Sequence, residues 1–267
     1  HCLATLHRLV GFPFAAAKHV KATGVFVFLG VQSDLSRAHI GTVTLAVTKR
    51  RTDSILERIE EVLADGHLHH AAAASLCGKL QFTLSWAFGR IGRACMQPLF
   101  RHPGGALSPG LISALSFLRQ VLPSLPPHAV DLTDSHDLPT LVWSDGASEE
   151  DGEVNTIGFL VASPRPGARR PQGRSATAAE LAAAYTFRHG AAPVDAALMR
   201  MLLRRRQQIG QVELVGAVAP YLSLPSELAG RRVVHFIDNT SALAALAKGY
   251  SGVPDSAHIV HMFHAWA

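Results

Sequence analysis

The stretch whose reading decides the fold is "RRVVHFIDNTSALAALAKG", residues 231–249. Val233, Val234, Phe236 and Ile237 make a short β-branched and aromatic run, the pattern of a buried strand. Asp238 and Asn239 follow abruptly. The next residues, Ser241 to Lys248, have the composition of a helix, which Gly249 stops. A strand that ends in a carboxylate where a helix begins is the kind of junction at which α/β sheets collect ligands. The competing reading is that Asp238 or Asn239 only caps the helix.

Working outward, "TLVWSDGAS" (140–148) reads as a strand that runs into the turn dipeptide Asp145-Gly146. "NTIGFLVASP" (155–164) reads as a second strand, and 164–174 as a basic loop followed by a helix-rich stretch. "QIGQVELVGAVAPYL" (208–222) reads as a helix that carries Glu213 in an apolar setting. "PDSAHIVHMFHAWA" (254–267) reads as a last helix. Strands, helices, strand, then helix predict a mixed α/β domain over 140–267.

Upstream, residues 1–47 read as a small α/β segment, with "LATLHRLV" helical and "VFVFLGVQSDL" and "IGTVTLAV" strand-like. Residues 48–122 read as helical. Thr48 is a candidate N-cap, and Ile55, Ile59, Val62 and Leu63 fall on one helix face before Gly66. A second helix is expected from about Ala71 to Phe88, and a third over "SPGLISALSFLRQVL" with Pro109 in its first turn. The Pro- and Asp-rich run 123–139 reads as a linker.

Bulk properties narrow the function classes. The 267 residues are 48% hydrophobic and 17% charged, which excludes wholesale disorder. No apolar run approaches the roughly 18 residues of a membrane span, so no membrane partner is expected. Cys2, Cys77 and Cys95 are odd in number and lack metal-ligand spacing, which points to a reducing, intracellular compartment, nuclear or cytoplasmic. The net charge of +5 is uneven: residues 1–130 hold 13 Lys/Arg against 6 Asp/Glu, and residues 131–267 hold 12 against 14. A basic half joined to a mildly acidic half suits a polyanion grip beside a site that collects cations.

Asp145, Glu213 and Asp238 are the candidate catalytic and metal-ligating residues. Carboxylates gathered at strand ends repel one another unless cations hold them, and hard oxygen donors suit Mg²⁺ or Mn²⁺. Two such ions activate a water and stabilise the leaving oxygen of a phosphodiester. Each acid also has an ordinary reading, as turn former, cap or solvated helix residue.

With these residues set out, the chain resembles a known family. "LVWSDGAS", "QIGQVELVGAV" and "VVHFIDNTSALAALAKG" look like the first three catalytic blocks of a ribonuclease H-like domain, and "DNTSA" is similar to the form found in retroelement polyproteins. "GFPFAAAKHVKATGVFVFLGVQSDL" looks like the end of a reverse-transcriptase palm, with its motif lysine at Lys18 and a primer-grip turn at Phe28-Leu29-Gly30. "SLCGKLQFTLSWAFGRIGRACMQPLF" looks like the thumb helices. The resemblance implies a palm remnant, a helical thumb-like region and a ribonuclease H-like mixed-sheet domain, α/β or α+β overall. It also implies metal-assisted hydrolysis of the RNA strand of an RNA–DNA hybrid at Asp145, Glu213 and Asp238.

The resemblance departs from the family's pattern in three ways. The polymerase aspartate pair and the N-terminal fingers and palm are expected before His1. A fourth acid is expected after Ala267, since Asp255 follows Asp238 too soon. Residues 164–206 are longer than the compact pattern needs.

Lys18, Lys79, Arg90 and Arg93 are the candidate contacts to hybrid or duplex nucleic acid. Lys79 and Arg90 are 11 residues apart, about three turns on one face of an unbroken helix. Gly89 and Gly92 would admit a duplex backbone or another helix, and Ser144, Ser148 and Asn239 are candidates for 2′-hydroxyl contacts. "RRR" at 204–206 reads as a solvated helix end. His258, His261 and His264 drift around a helix with no cysteine nearby, which argues against zinc. The alternative to a nuclease module is a catalytically inactive, nucleic-acid-binding remnant of the same scaffold.

Overall fold

The computed structural model describes residues 23–86, 90–133, 137–149, 154–169, 177–203, 205 and 208–266. Lys18, Phe88, Gly89, Arg204 and Arg206 lie outside them, as does the expected N-terminal helix. The architecture is mixed α/β.

The N-terminal sheet has the order β1-β2-β3-β6, all antiparallel, from Val25–Phe28, Val31–Asp34, Thr42–Val47 and His128–Asp131. Leu29 and Gly30 both have positive φ, 52° and 82°, which closes β1 onto β2 as a two-residue hairpin. The β6 strand corrects the linker reading of 123–139. His128–Asp131 pairs with β3, because an open strand edge offers backbone partners that this segment takes in its proline-free stretch between Pro127 and Pro139.

Between β3 and β6 lies a helical region. It contains α1 (Lys49–Asp65), β4 (His67–Leu68), α2 (His70–Ser85), α3 (Gln97–Phe100), β5 (Gly105–Ala106) and α4 (Pro109–Val121). Gly66 ends α1 in the left-handed conformation as expected; Thr48 occupies the N-cap position of α1 but its side chain makes no capping bond, whereas Ser108 Oγ accepts from Leu111 N ahead of Pro109. Ile55, Ile59, Val62, Leu76, Leu80, Leu84, Leu111, Leu115 and Leu118 form its core. Each such side chain contributes about 1.5–3 kcal/mol of burial.

The C-terminal sheet has the order β10-β7-β8-β9: Val233–Ile237, Thr140–Glu149, Val154–Pro164 and Tyr185–Pro193. β10 runs parallel to β7, and the other pairs are antiparallel. The helices around it are α5 (Ala178–Ala184), α6 (Ala196–Met201), α7 (Ile209–Ser223), α8 (Pro225–Leu228), α9 (Thr240–Lys248) and α10 (Pro254–Trp266). β9 corrects the helix-rich reading of its segment. Only Tyr185-Thr186-Phe187 has strand propensity; the Gly, Ala and Pro that follow lack it, and pairing with β8 satisfies the backbone groups on that side of the strand.

Two further corrections concern β7. The strand does not turn at Asp145-Gly146; it continues to Glu149, with Asp145 opposite Gly158 and Gly146 opposite Ile157. Gly146 serves the helix on top of it. A Cβ there would lie 2.7 Å from Glu213 N, and a Cβ on Gly216 would lie 2.7 Å from Asp145 O. Strand and helix therefore meet backbone to backbone, which only glycine permits. Apart from Glu213, α7 has no charged residue, and it is covered by the sheet below and by Ala242, Ala245, Leu246 and Val260 above.

Gly146→Ala and Gly216→Ala are each expected to lower stability by about 1–3 kcal/mol, the cost of overpacking against rigid backbone. Gly210→Ala, into open space on the same helix, should be neutral or stabilising by up to about 1 kcal/mol. Urea unfolding of the three variants checks the contrast; equal losses at all three positions would mean the close approach is not the constraint.

Candidate functional site

Three elements each bring one acid to the same end of the C-terminal sheet. β7 carries Asp145, α7 carries Glu213, and Asp238 directly follows β10. The strand pleat of β7 buries Val142, Ser144 and Gly146 under α7 and leaves Trp143, Asp145 and Ala147 on the other, exposed face. Asp145 and Asp238 line one open trough of about 630 Å³ together with Trp143, Phe236 and Leu243. Trp143 and Phe236 are stacked there, centroids 5.1 Å apart and planes 12° from parallel.

The opening stretch has a clear division of labour. Asn239 caps α9: its Oδ1 accepts from the backbone N–H groups of both Ser241 and Ala242, at 2.9 Å. Asp238 takes no part in the cap and is exposed. A carboxylate freed of capping duty keeps its oxygens available to a ligand.

Glu213 stands apart from the trough but within reach of the other two charges. Its carboxyl is pushed up first by burial and then by the negative charge of Asp238, with a smaller push from Asp145; the side chain of Asn239 acts the other way. Its Oε2 is buried with no hydrogen-bond partner. Asp145 Oδ1 accepts from Gly146 N at 2.8 Å. The three acids thus lie within each other's electrostatic reach rather than in a coordination shell. Among the described residues, no group of three His, Cys, Asp or Glu side chains is placed to hold a metal ion. The donor set is all oxygen and anionic, and one buried oxygen lacks a partner. Those are the properties of residues that suit a hard divalent cation.

A buried polar chain lies beneath the acids and escapes the sequence reading. Ser144 Oγ and His235 Nε2 are 2.8 Å apart, and Tyr221 Oη and His235 Nδ1 are 3.2 Å apart. The chain links β7, β10 and α7, the three elements that carry the acids. Burial pushes His235 down to about 4 and the Tyr221 hydroxyl up to about 12. The only signal in the sequence is a histidine inside an otherwise apolar strand. Ser144, engaged in this chain and 9% exposed, is therefore not a 2′-hydroxyl contact.

The basic candidates separate. α2 ends at Ser85, so Lys79 and Arg90 do not share one helix face. Lys79 is exposed on α2. Arg90 Nε donates to Ala247 O at 3.3 Å, which places its cation at the C-terminus of α9, where the helix dipole favours it. Arg93 is half-buried just ahead of a 3₁₀ turn. Gly92, at φ 80°, packs against Leu84 and Leu118 of the helical core, not toward an open duplex surface. Arg205 is no solvated helix end: its Nη2 pairs at 2.7 Å with Asp255, which is 6% exposed in its side chain. Asp255 also accepts from Leu203 N, so its role is to bind the α6–α7 connection to α10. His261 packs edge-on against Phe117, and His264 Nε2 lies 2.9 Å from Leu246 O.

Compared with known proteins, the chain matches no family model, and no characterised protein matches it significantly.

The buried His235 gives a pH signature. Its native pKa lies below the ordinary histidine value, so the unfolded chain takes up a proton that the native state refuses. Stability is full above about pH 6.5 and falls as pH drops toward 4, by on the order of 3 kcal/mol from this residue. His261 and His264 titrate in the same sense and Glu213 in the opposite one, so the readout is a difference. His235→Gln should flatten the acid loss measured by urea unfolding between pH 7 and 4. An unchanged profile would show that His235 is solvated in the native state.

Proposed function

We propose that the chain carries a ribonuclease H-type site, with Asp145, Glu213 and Asp238 as metal ligands, in a retroelement reverse transcriptase-like protein that acts on RNA–DNA hybrids. The observation that carries this reading is the Glu213 carboxylate. It is held half-buried, with an unpartnered oxygen, within electrostatic reach of two further acids, one on β7 and one just after β10. A fold does not retain mutual repulsion and a desolvated carboxylate without a return, and a cation supplies one. The parallel β10–β7 pair flanked by antiparallel β8 and β9, with α7 across one face, is in keeping with the ribonuclease H-like blocks of the sequence. The hairpin at Leu29-Gly30 and the helical region after β3 are in keeping with the palm and thumb elements of the same reading.

Asp145, Glu213 and Asp238 would hold Mg²⁺ or Mn²⁺, which supplies water activation and charge neutralisation at a phosphodiester. The chain's own residues prepare that site. Gly146 and Gly216 bring α7 against β7, so that Glu213 feels the charge of Asp145. Asn239 takes over the helix cap and leaves Asp238 uncommitted and exposed. The Ser144–His235–Tyr221 chain fixes the three carrier elements against one another. Lys79 and Arg93 remain as candidate phosphate contacts on the basic side, and Arg90 belongs to the scaffold.

The absence of a ready coordination shell among the described residues favours a second reading, a nucleic-acid-binding protein without hydrolytic activity. The metal separates the two. In the first reading, Mg²⁺ at a concentration 100 times its Kd stabilises the protein by about 2.7 kcal/mol, which thermal unfolding detects without any substrate. Asp238→Asn should abolish that shift, leave the α9 cap intact, and raise stability slightly in EDTA as repulsion is relieved. It should also reduce any Mg²⁺-dependent cleavage of RNA in a hybrid by about a hundredfold or more. A wild-type protein whose unfolding ignores Mg²⁺ and Mn²⁺ would defeat the metal-site reading.

A further inference from the structure

A second constellation lies away from the acids, where the helical region meets the C-terminal unit. Arg93 and Arg101 line a cavity of about 470 Å³ together with Phe100, Tyr250, Gln81 and Gln97. Its volume falls in the roughly 300–1,000 Å³ range of small-ligand sites. Among the described residues, neither arginine pairs with a carboxylate; the ion pairs present there join Lys49 to Asp53, Arg58 to Glu61, Arg188 to Glu227 and Arg205 to Asp255. Arg101 Nη2 reaches only the carbonyl of Gly252, at 3.3 Å. Arg90 stands close enough to add to the positive field, and burial together with Arg90 makes the charge on Arg93 harder to keep. Guanidinium groups gathered without a counter-charge, one of them half-buried, are a site for an anion.

The rest of the cavity says which anion. Phe100 is 51% exposed and Tyr250 43% exposed, two aromatic faces held open beside the arginines. Gln81 and Gln97 add amide donors and acceptors of the kind that read base edges. Phosphate, flat ring and polar edge occur together in a nucleotide. The cavity's volume of about 470 Å³ suits one such unit.

We propose that this cavity binds one unpaired nucleotide of a nucleic-acid strand, its phosphate against Arg93 and Arg101 and its base against Phe100 and Tyr250. Every lining residue named here comes from the helical region except Tyr250, which follows the glycine cap of α9. The site therefore joins the two units, and a strand seated in it is tethered at a fixed distance from the acids. The proposal rests on the nucleic-acid part of the reading above and not on the metal.

The test is fluorescence anisotropy of a 5′-labelled octathymidylate with the full chain in EDTA, between 50 and 200 mM KCl. Wild type should bind with a salt-dependent affinity. Arg93→Gln should reduce the slope of log affinity against log salt by about 0.7, one phosphate contact on a single strand. Phe100→Ala, at an exposed position where the fold tolerates truncation, should weaken binding about fivefold or more through the lost stack. Tyr250→Ala should do the same, and Tyr250→Phe should restore it. A blunt duplex of equal length should lose nothing in Phe100→Ala. Failure of octathymidylate to bind wild type, or wild-type affinity in Phe100→Ala, overturns the proposal. Because EDTA silences the acids, such a failure leaves the metal-site reading standing, and an absent Mg²⁺ shift leaves this one standing.

Discussion

The contact between β7 and α7 is the constraint on which the C-terminal half depends. Two backbones touch there without side chains between them, at Gly146 on the strand and Gly216 on the helix. That contact fixes the height of α7 above the sheet and its rotation about its axis. The rotation turns Leu214, Ala217 and Val218 into the core and leaves Glu213 at the margin, near the strand that carries Asp145. A helix one side chain higher would lose this close backbone contact and would carry Glu213 away from the strand of Asp145.

Electrostatics and packing pull in opposite directions at this margin. Packing wants α7 dry, because it is apolar around most of its surface. Three carboxylates want water or cations. The compromise is to place two acids in an open trough and only one in partial burial. The nearest buried titratable group, His235, is kept neutral and spent on hydroxyl partners. It adds no positive charge that would compete with a cation for the acids.

Much of this was legible in the residues. The Val233–Ile237 run, the acid after it and the Gly249 stop name β10, the junction and α9, because strand propensity and a left-handed cap leave short-range signals. The same holds for Gly66 and Ser108 in the helical region. What stayed hidden depended on long-range partners. Tyr185–Pro193 is a strand only because β8 lies beside it, and His128–Asp131 only because β3 does. Asp145-Gly146 has the composition of a turn, and its extended conformation is decided by a helix more than sixty residues later. For the candidate site, the three acids could be named from sequence, while the division between Asp238 and Asn239 could not. Two adjacent polar residues both make good caps, and only the direction of the side chains separates them. Arg90 and Arg93 carry the same charge and sit three apart, yet one is committed to a helix terminus and the other faces a cavity.

The helix between Asp238 and Gly249 is short, about 13 Å for its nine residues, and both ends are held. Asn239 secures the first turn, while Arg90, from the helical region, grips the carbonyl of Ala247 at the last. Gly249 has no side chain to keep Arg90 at a distance. The helix that begins just after Asp238 is therefore tied, at its far end, to the helical region. The position of the residue that follows β10 thus depends partly on an arginine that never touches it.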